Sequence, residues 1–170
     1  MKSPLKRLTL AVLSMTFLSV AMGQLKPKTK CPDMYVDVLN GTVNEIKPNH
    51  TQNEIKDKFP CFSSAVEESN DAKCGGGIFF KDKDIYFYTK RDYIEVGPKF
   101  TGKTSIPLLG TKRGSLFKSL GNPKMKDDLW DAFEMQYGTL ILHYDVAGAA
   151  GKVKSFQFST LSTDDLSLCE

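Results

Sequence analysis

The stretch from Ser115 to Asp145, SLFKSLGNPKMKDDLWDAFEMQYGTLILHYD, holds the clearest structural pattern in the chain. Residues 111–122 place two leucines four positions apart, which is typical of one helix face, and Gly121 followed by a proline ends that helix. After a charged loop, apolar and polar residues alternate over 132–137 and again over 139–145, which predicts two strands. The stretch therefore predicts one helix followed by the start of a β-meander.

An earlier segment repeats this order of elements. Residues 49–59 predict a helix that Pro60 stops. Asn49 or Thr51 can cap it, and Glu54 follows Thr51 with the spacing of a capping box. A polar loop at 63–73 separates it from three β-rich runs. The strands predicted in addition to the two above lie at 34–41, 75–80, 85–90, 92–97 and 153–159.

A constant shift of 61 residues relates the two segments, so that Ile55 matches Leu116. We interpret this as a tandem duplication of a helix–loop–meander unit, with one copy at 39–98 and the other at 99–160. A sheet of about three strands cannot bury both of its faces alone, so the units must share a core. The predicted fold class is α+β: two tandem helix–loop–β-meander units forming a two-layer sandwich, with helices on one face of an antiparallel sheet.

The N-terminus has the features of an export signal. Residues 1–23 combine a basic start, an apolar run shorter than the ~20 residues that span a bilayer, and small residues at Ala21 and Gly23. We predict a cleaved signal peptide, with an uncleaved anchor as the alternative, then an extended segment at 24–38. The chain holds 23 Lys and Arg against 20 Asp and Glu, and three of those cations lie in the signal, so the basic charge belongs to targeting. No nucleic-acid partner and no integral membrane segment are predicted for the mature chain.

Four cysteines in an exported chain favour two disulfides. Three pairings are possible; we choose Cys61 with Cys74, which are close in sequence, and Cys31 with Cys169, which bracket the domain. The second bond would tie down a C-terminal tail at 161–170. Zinc is the alternative, but the chain has no C-x-x-C motif.

The second helix and its strands resemble a known superfamily. The residues that carry the likeness are SLGNP, the loop with Trp130, FEMQYGTLILHYD, and the strand opened by GKV. In that order they are similar to the fold of the bacterial beta-lactamase inhibitor protein and of the SmpA/OmlA-type outer-membrane lipoproteins. The resemblance covers about 39–159 and implies a protein-binding module without catalytic residues. The lipoprotein branch carries an acylated Cys after its signal, and this chain has none there.

The open face of the predicted sheet is the candidate binding site. If Ile85 and Phe87 face the helices, Tyr86 and Tyr88 face away, because side chains alternate along a strand. Tyr and Trp are favoured at protein-recognition surfaces. The alternative is that these rings pack under loops or another strand. The predicted protein-binding residues are Tyr86, Tyr88, Tyr93, Trp130, Ile141 and His143.

No motif in the sequence indicates catalysis. His50 lies at a helix entry and His143 on a strand, without a nucleophile and an orienting acid marked beside either. The CGGG run at 74–77 lacks the Lys-Ser/Thr pair of a phosphate-binding loop. We predict no catalytic residue, no metal and no cofactor.

The sequence thus predicts a secreted or periplasmic protein that binds another protein without catalysis, as an inhibitor or immunity-type protein acting on an envelope or secreted enzyme. One alternative is an envelope scaffold related to outer-membrane assembly lipoproteins. The other is a secreted carrier of a small ligand, which would need a deep pocket with converging polar groups.

Overall fold

The computed structural model of the protein describes residues 30–169. The predicted signal peptide at 1–23 lies outside the described residues, as does the start of the predicted extended segment. Within the described part, no helix is both long and apolar enough to cross a membrane.

Residues 30–169 form two α-helices, eleven strands and short 3₁₀ turns. The helices are α1 (Gln52–Lys58) and α2 (Arg113–Leu120). The strands are β1 (Tyr35–Asp37), β2 (Thr42–Val43), β3 (Ser64–Val66), β4 (Gly77–Phe80), β5 (Ile85–Tyr88), β6 (Tyr93–Val96), β7 (Lys103–Thr104), β8 (Met125–Lys126), β9 (Trp130–Met135), β10 (Gly138–Tyr144) and β11 (Val153–Ser159).

Both helices form where the sequence predicts them, and local chemistry sets their ends. At the start of α1, Thr51 Oγ1 accepts from the Glu54 N–H, while the Glu54 carboxylate accepts from the Thr51 N–H at 2.8 Å. This reciprocal capping box satisfies backbone donors that a helix start leaves free. The backbone bond from Thr51 lowers the pKa of Glu54. At the end of α2, Gly121 has φ +78°, a conformation that glycine adopts most easily.

Eight strands form one antiparallel sheet, in the order β3-β4-β5-β6-β11-β10-β9-β8. It consists of two four-strand meanders, each preceded in the chain by a helix and joined where β6 pairs with β11. The remaining strands form a small sheet in which β1 pairs antiparallel with β2 and parallel with β7. The predicted mixture of helices with antiparallel strands is confirmed, whereas the duplication stays a prediction.

One face of the large sheet, called the inner face here, carries the core. Its side chains include Phe80 and Phe87, both fully buried. The Phe59 ring, just after α1, lies 5.6 Å from the Phe80 ring and 6.3 Å from the Phe87 ring, centroid to centroid. Ile55 of α1 and Leu116 of α2 are buried in the same apolar cluster. The spacing of Ile55 and Phe59 therefore acts as predicted and buries one helix stripe.

A buried ion pair fastens α2 to the second meander. The Arg113 guanidinium donates two bonds to the Asp131 carboxylate, at 2.9 and 2.6 Å, and neither side chain is exposed beyond 4%. Arg113 also donates to the backbone carbonyls of Asp127 and Asp128, and the Tyr144 hydroxyl donates to Asp131 at 2.8 Å. The bonds to Asp131 raise the pKa of Arg113, so the guanidinium stays protonated at every ordinary pH.

The four cysteines form two disulfides, but not in the predicted pairs. Cys31 bonds Cys61, and Cys74 bonds Cys169, each with Cα atoms 5.2 Å apart. A disulfide does hold the C-terminal tail, as predicted, although Cys169 pairs with Cys74 rather than with Cys31.

The hairpin of β3 and β4 explains why the predicted pairing is wrong. Ser64 pairs with Phe79 across the hairpin. Cys61 precedes Ser64 and lies beyond the Phe79 end, whereas Cys74 precedes Gly77 and lies beyond the opposite end. Disulfide Cα atoms must approach within about 7 Å, so the length of the hairpin keeps these two cysteines apart. Closeness in sequence was misleading because the chain between the two cysteines runs out along β3 and returns along β4 only after Cys74.

Peptide mapping of the non-reduced protein checks this connectivity. We expect mass spectrometry to find one peptide pair holding Cys31 with Cys61 and another holding Cys74 with Cys169, each lost on reduction. A cross-linked peptide holding Cys61 with Cys74 would contradict the register of the hairpin.

Replacing Asp131 with Asn tests the buried ion pair. The change leaves the Arg113 charge buried without a counter-charge, so we expect the free energy of unfolding in urea to fall by about 3–5 kcal/mol. The matched control is Glu45→Gln, which removes an exposed pair with Lys58 and should cost less than about 1 kcal/mol. Equal losses in the two variants would show that the buried pair contributes no more to the free energy of unfolding than the exposed pair does.

Candidate functional site

The surface opposite the core, called the outer face here, is the candidate site. Strand registers align one outward residue from every strand into a single row across the sheet. From one edge to the other, this row is Ser64, Phe79, Tyr86, Glu95, Gln157, Ile141, Ala132 and Met125.

Three aromatic side chains of β4 and β5, called the aromatic patch here, form one half of this face: Phe79, Tyr86 and Tyr88. Their rings lie between 5.4 and 6.4 Å apart, centroid to centroid. All three are partly exposed, whereas the alternating residues Ile85 and Phe87 are fully buried. The patch therefore offers solvent a continuous aromatic surface that is held in place by ring-to-ring packing.

Polar groups orient the tyrosines of the patch. The Tyr86 hydroxyl donates to the Asp84 carboxylate at 2.9 Å. Burial raises the pKa of Tyr86, and the Asp84 bond adds to the effect. Burial raises the pKa of Tyr88 to about 12, with Glu95 adding a negative charge nearby. Both phenols thus remain neutral donors at physiological pH.

Tyr93 lies on the outer face but is not open to solvent. Its ring stacks on Tyr88 at 4.6 Å between centroids, and its side chain is fully buried. Burial raises the pKa of Tyr93 strongly, and Tyr88 contributes in the same direction. Tyr93 therefore packs beside the aromatic patch as a buried neighbour, which corrects the predicted open face at this position.

The C-terminal tail, residues 161–169, covers much of the other half. The Thr139 hydroxyl donates to the Leu161 carbonyl at 2.9 Å, and the Lys124 ammonium lies 3.3 Å from Asp164. The tail then returns to the first meander, where Arg91 donates to the Leu168 carbonyl at 2.9 Å and Cys74 bonds Cys169. Hydrogen bonds, an ion pair and a disulfide thus hold the tail against the sheet along its length.

The tail reduces the solvent exposure of the sheet surface that carries the predicted binding residues of β9 and β10. Ile141 is only 3% exposed, so the prediction that it lies on an open surface is wrong. Trp130 and His143 remain partly exposed. All three side chains line a cavity of about 350 Å³ between the tail and the sheet. The alternative stated from the sequence, that side chains of this face pack under another segment, describes this half.

The cavity has apolar walls from both the sheet and the tail. The sheet contributes Trp130, Ala132 and Ile141, and the tail contributes Leu166 and Leu168. Its volume lies within the range of about 300–1,000 Å³ that small-molecule sites occupy. No Asp, Glu, Lys or Arg among the described residues lines it.

Three polar side chains on adjacent strands form a chain of hydrogen bonds beside the cavity. Gln157 donates from Nε2 to the Glu95 carboxylate at 3.2 Å, and its Oε1 lies 3.1 Å from His143 Nε2. A carboxylate only accepts, so the Gln157 amide presents its NH₂ to Glu95 and its carbonyl to His143. His143 Nε2 must therefore carry a proton, which leaves Nδ1 as the second hydrogen-bonding atom of the ring.

The two histidines differ in their surroundings. His50 accepts the Lys47 backbone N–H through Nδ1 at 3.1 Å, an arrangement that belongs to the turn before α1. His143 lines the cavity with Gln157 as its side-chain partner. Within residues 30–169, no three His, Cys, Asp or Glu side chains are grouped as a metal ion would need.

Two parts of this arrangement were missed from the sequence: the tail over the sheet, and the Arg113–Asp131 pair. Three apolar residues that precede Cys169 were a signal for a packed tail: Leu161, Leu166 and Leu168. The charge pair leaves no local sequence pattern, because its members are 18 residues apart on different elements.

No protein-family model, no curated protein and no solved structure matches this chain. The resemblance to the beta-lactamase inhibitor protein and the SmpA/OmlA-type lipoproteins therefore stays a prediction.

The raised pKa of Tyr88 predicts a loss of stability at alkaline pH. The unfolded phenol ionises near pH 10 but the folded one near pH 12, so its stabilising effect is complete below pH 10 and is lost as pH rises through 12. We expect wild type to lose about 1 kcal/mol more than Tyr88→Phe between pH 9 and 11.5, a figure reduced for partial solvent screening. Urea unfolding of both proteins at both pH values measures this difference. An identical loss in the two proteins would contradict the raised pKa of Tyr88.

Proposed function

We propose that this protein is an exported, non-catalytic protein-binding module that contacts its partner through the aromatic patch. The observation that carries the proposal is the partly exposed cluster of Phe79, Tyr86 and Tyr88 on a sheet face that the tail covers only in part. Large, rigid aromatic rings with polar tips supply contact area at a low cost in conformational entropy, and such residues dominate binding energy at protein interfaces.

The surroundings of the patch support a specific contact. Tyr93 stacks against Tyr88 from the adjacent strand, and Asp84 fixes the Tyr86 hydroxyl, so two of the three rings are held before a partner arrives. Preorganised side chains lose less entropy on binding than mobile ones. The role proposed is that of an inhibitor or immunity-type protein that blocks an envelope or secreted enzyme.

Export is the second element of the proposal. Two disulfides are typical of proteins from oxidising compartments, and they support a secreted or periplasmic location together with the predicted signal at 1–23. We also propose that 39–98 and 99–160 are duplicated units packed with their helices on the inner face. Their matching order of one helix and a four-strand meander supports this.

Partner capture with a patch variant tests the proposal. Immobilised wild type, Tyr86→Ala/Tyr88→Ala and Tyr35→Ala would be incubated with envelope and culture fractions of the source organism. Tyr35 is 44% exposed on the small sheet and serves as the matched control. We expect wild type and the control to retain the same protein and the patch variant to bind it at least about tenfold more weakly. Equal retention by the patch variant would overturn the assignment.

A further inference from the structure

The cavity beneath the tail has the features of a second, separate binding site. Its volume is about 350 Å³, and an enclosed apolar cavity of roughly 150 Å³ already admits benzene. The space is therefore large enough for a molecule of two fused rings. The aromatic patch lies on the other meander, so this site does not depend on the proposed protein contact.

Polar atoms in the cavity wall indicate which hydrogen-bonding group a ligand needs. Thr163 lines the cavity, and its buried hydroxyl has no hydrogen-bond partner among the described residues. His143 Nε2 is occupied by Gln157, and no hydrogen bond from residues 30–169 uses Nδ1. A buried hydroxyl without a partner is costly and is rare in folded proteins, so a group that satisfies it would be bound favourably.

The charge of the cavity wall also limits which charge a ligand can carry. No acidic or basic side chain of the described residues lines the cavity. An ionised ligand would lose its hydration without gaining a counter-charge, which is strongly unfavourable. A hydroxyl group, in contrast, can accept from Thr163 and can donate to an unprotonated imidazole nitrogen.

We infer that the cavity between the C-terminal tail and β8–β11 binds an uncharged, ring-containing hydroxyl compound. Trp130, Ile141 and Leu166 contact its rings, and Thr163 and His143 supply hydrogen bonds to its hydroxyl. The tail forms one wall, so the Cys74–Cys169 disulfide keeps the site closed on that side.

Titration with matched probes tests this inference. The probes are 2-naphthol, 2-methylnaphthalene without the hydroxyl, and 2-naphthoate with a negative charge. Calorimetry measures affinity, and the emission of Trp130, the one tryptophan in the chain, reports on the cavity itself. We expect saturable binding of 2-naphthol, about five- to hundredfold weaker binding of 2-methylnaphthalene from the loss of both hydrogen bonds, and the weakest binding for 2-naphthoate.

Two variants locate the site. Thr163→Val keeps the side-chain shape and should reduce 2-naphthol affinity about three- to tenfold while leaving 2-methylnaphthalene unchanged. Ala132→Leu fills the cavity and should abolish binding of both probes. Tyr86→Ala/Tyr88→Ala should bind 2-naphthol like wild type, which separates this site from the proposed protein contact.

Three results would overturn the inference. They are the absence of saturable 2-naphthol binding to the folded wild type, an affinity for 2-naphthoate equal to or higher than that for 2-naphthol, and 2-naphthol binding unchanged by Thr163→Val. Thr163→Val alters only a hydroxyl, so this last comparison remains decisive even where Ala132→Leu does not fold.

Discussion

The pairing of β6 with β11 is the interaction on which the rest of the structure depends. Four residue pairs, from Phe156 with Val96 to Ser159 with Tyr93, join two meanders that are far apart in sequence. Without this seam each meander would keep an unpaired edge and a core open on one side. With it, the inner face becomes one continuous apolar surface, and the outer face gains an aligned row across eight strands.

The seam also determines where the end of the chain runs. Because β11 lies in the middle of the sheet, the residues after Ser159 cannot continue along an edge and must cross a face. The inner face is filled by the core, so the tail passes over the outer face and is fastened at Cys74 on the far meander. One sheet surface is thereby divided into an aromatic part in contact with solvent and a part where the tail leaves a cavity above the strands.

Local patterns predicted much of this fold, because they depend on near neighbours. The capping box of Thr51 and Glu54, the glycine stop at Gly121 and a strand over most of 139–145 all appear as predicted. The disulfide pairing and the burial of Tyr93 and Ile141 were not predicted. They depend on strand register and on a tail that crosses the sheet, and both are set by contacts between residues far apart in the chain.

Hydroxyl-radical footprinting with mass spectrometry measures the division of the outer face most directly. The intact protein should show rapid oxidation of Tyr86 and Tyr88 and slow oxidation of Tyr93, with Tyr93 becoming more reactive once Cys74 and Cys169 are both replaced by serine and the tail is released. If Tyr93 were oxidised as fast as Tyr86 in the intact, disulfide-bonded protein, the sheet surface would be open throughout. That result would contradict the division of the outer face into an open part and a part covered by the tail.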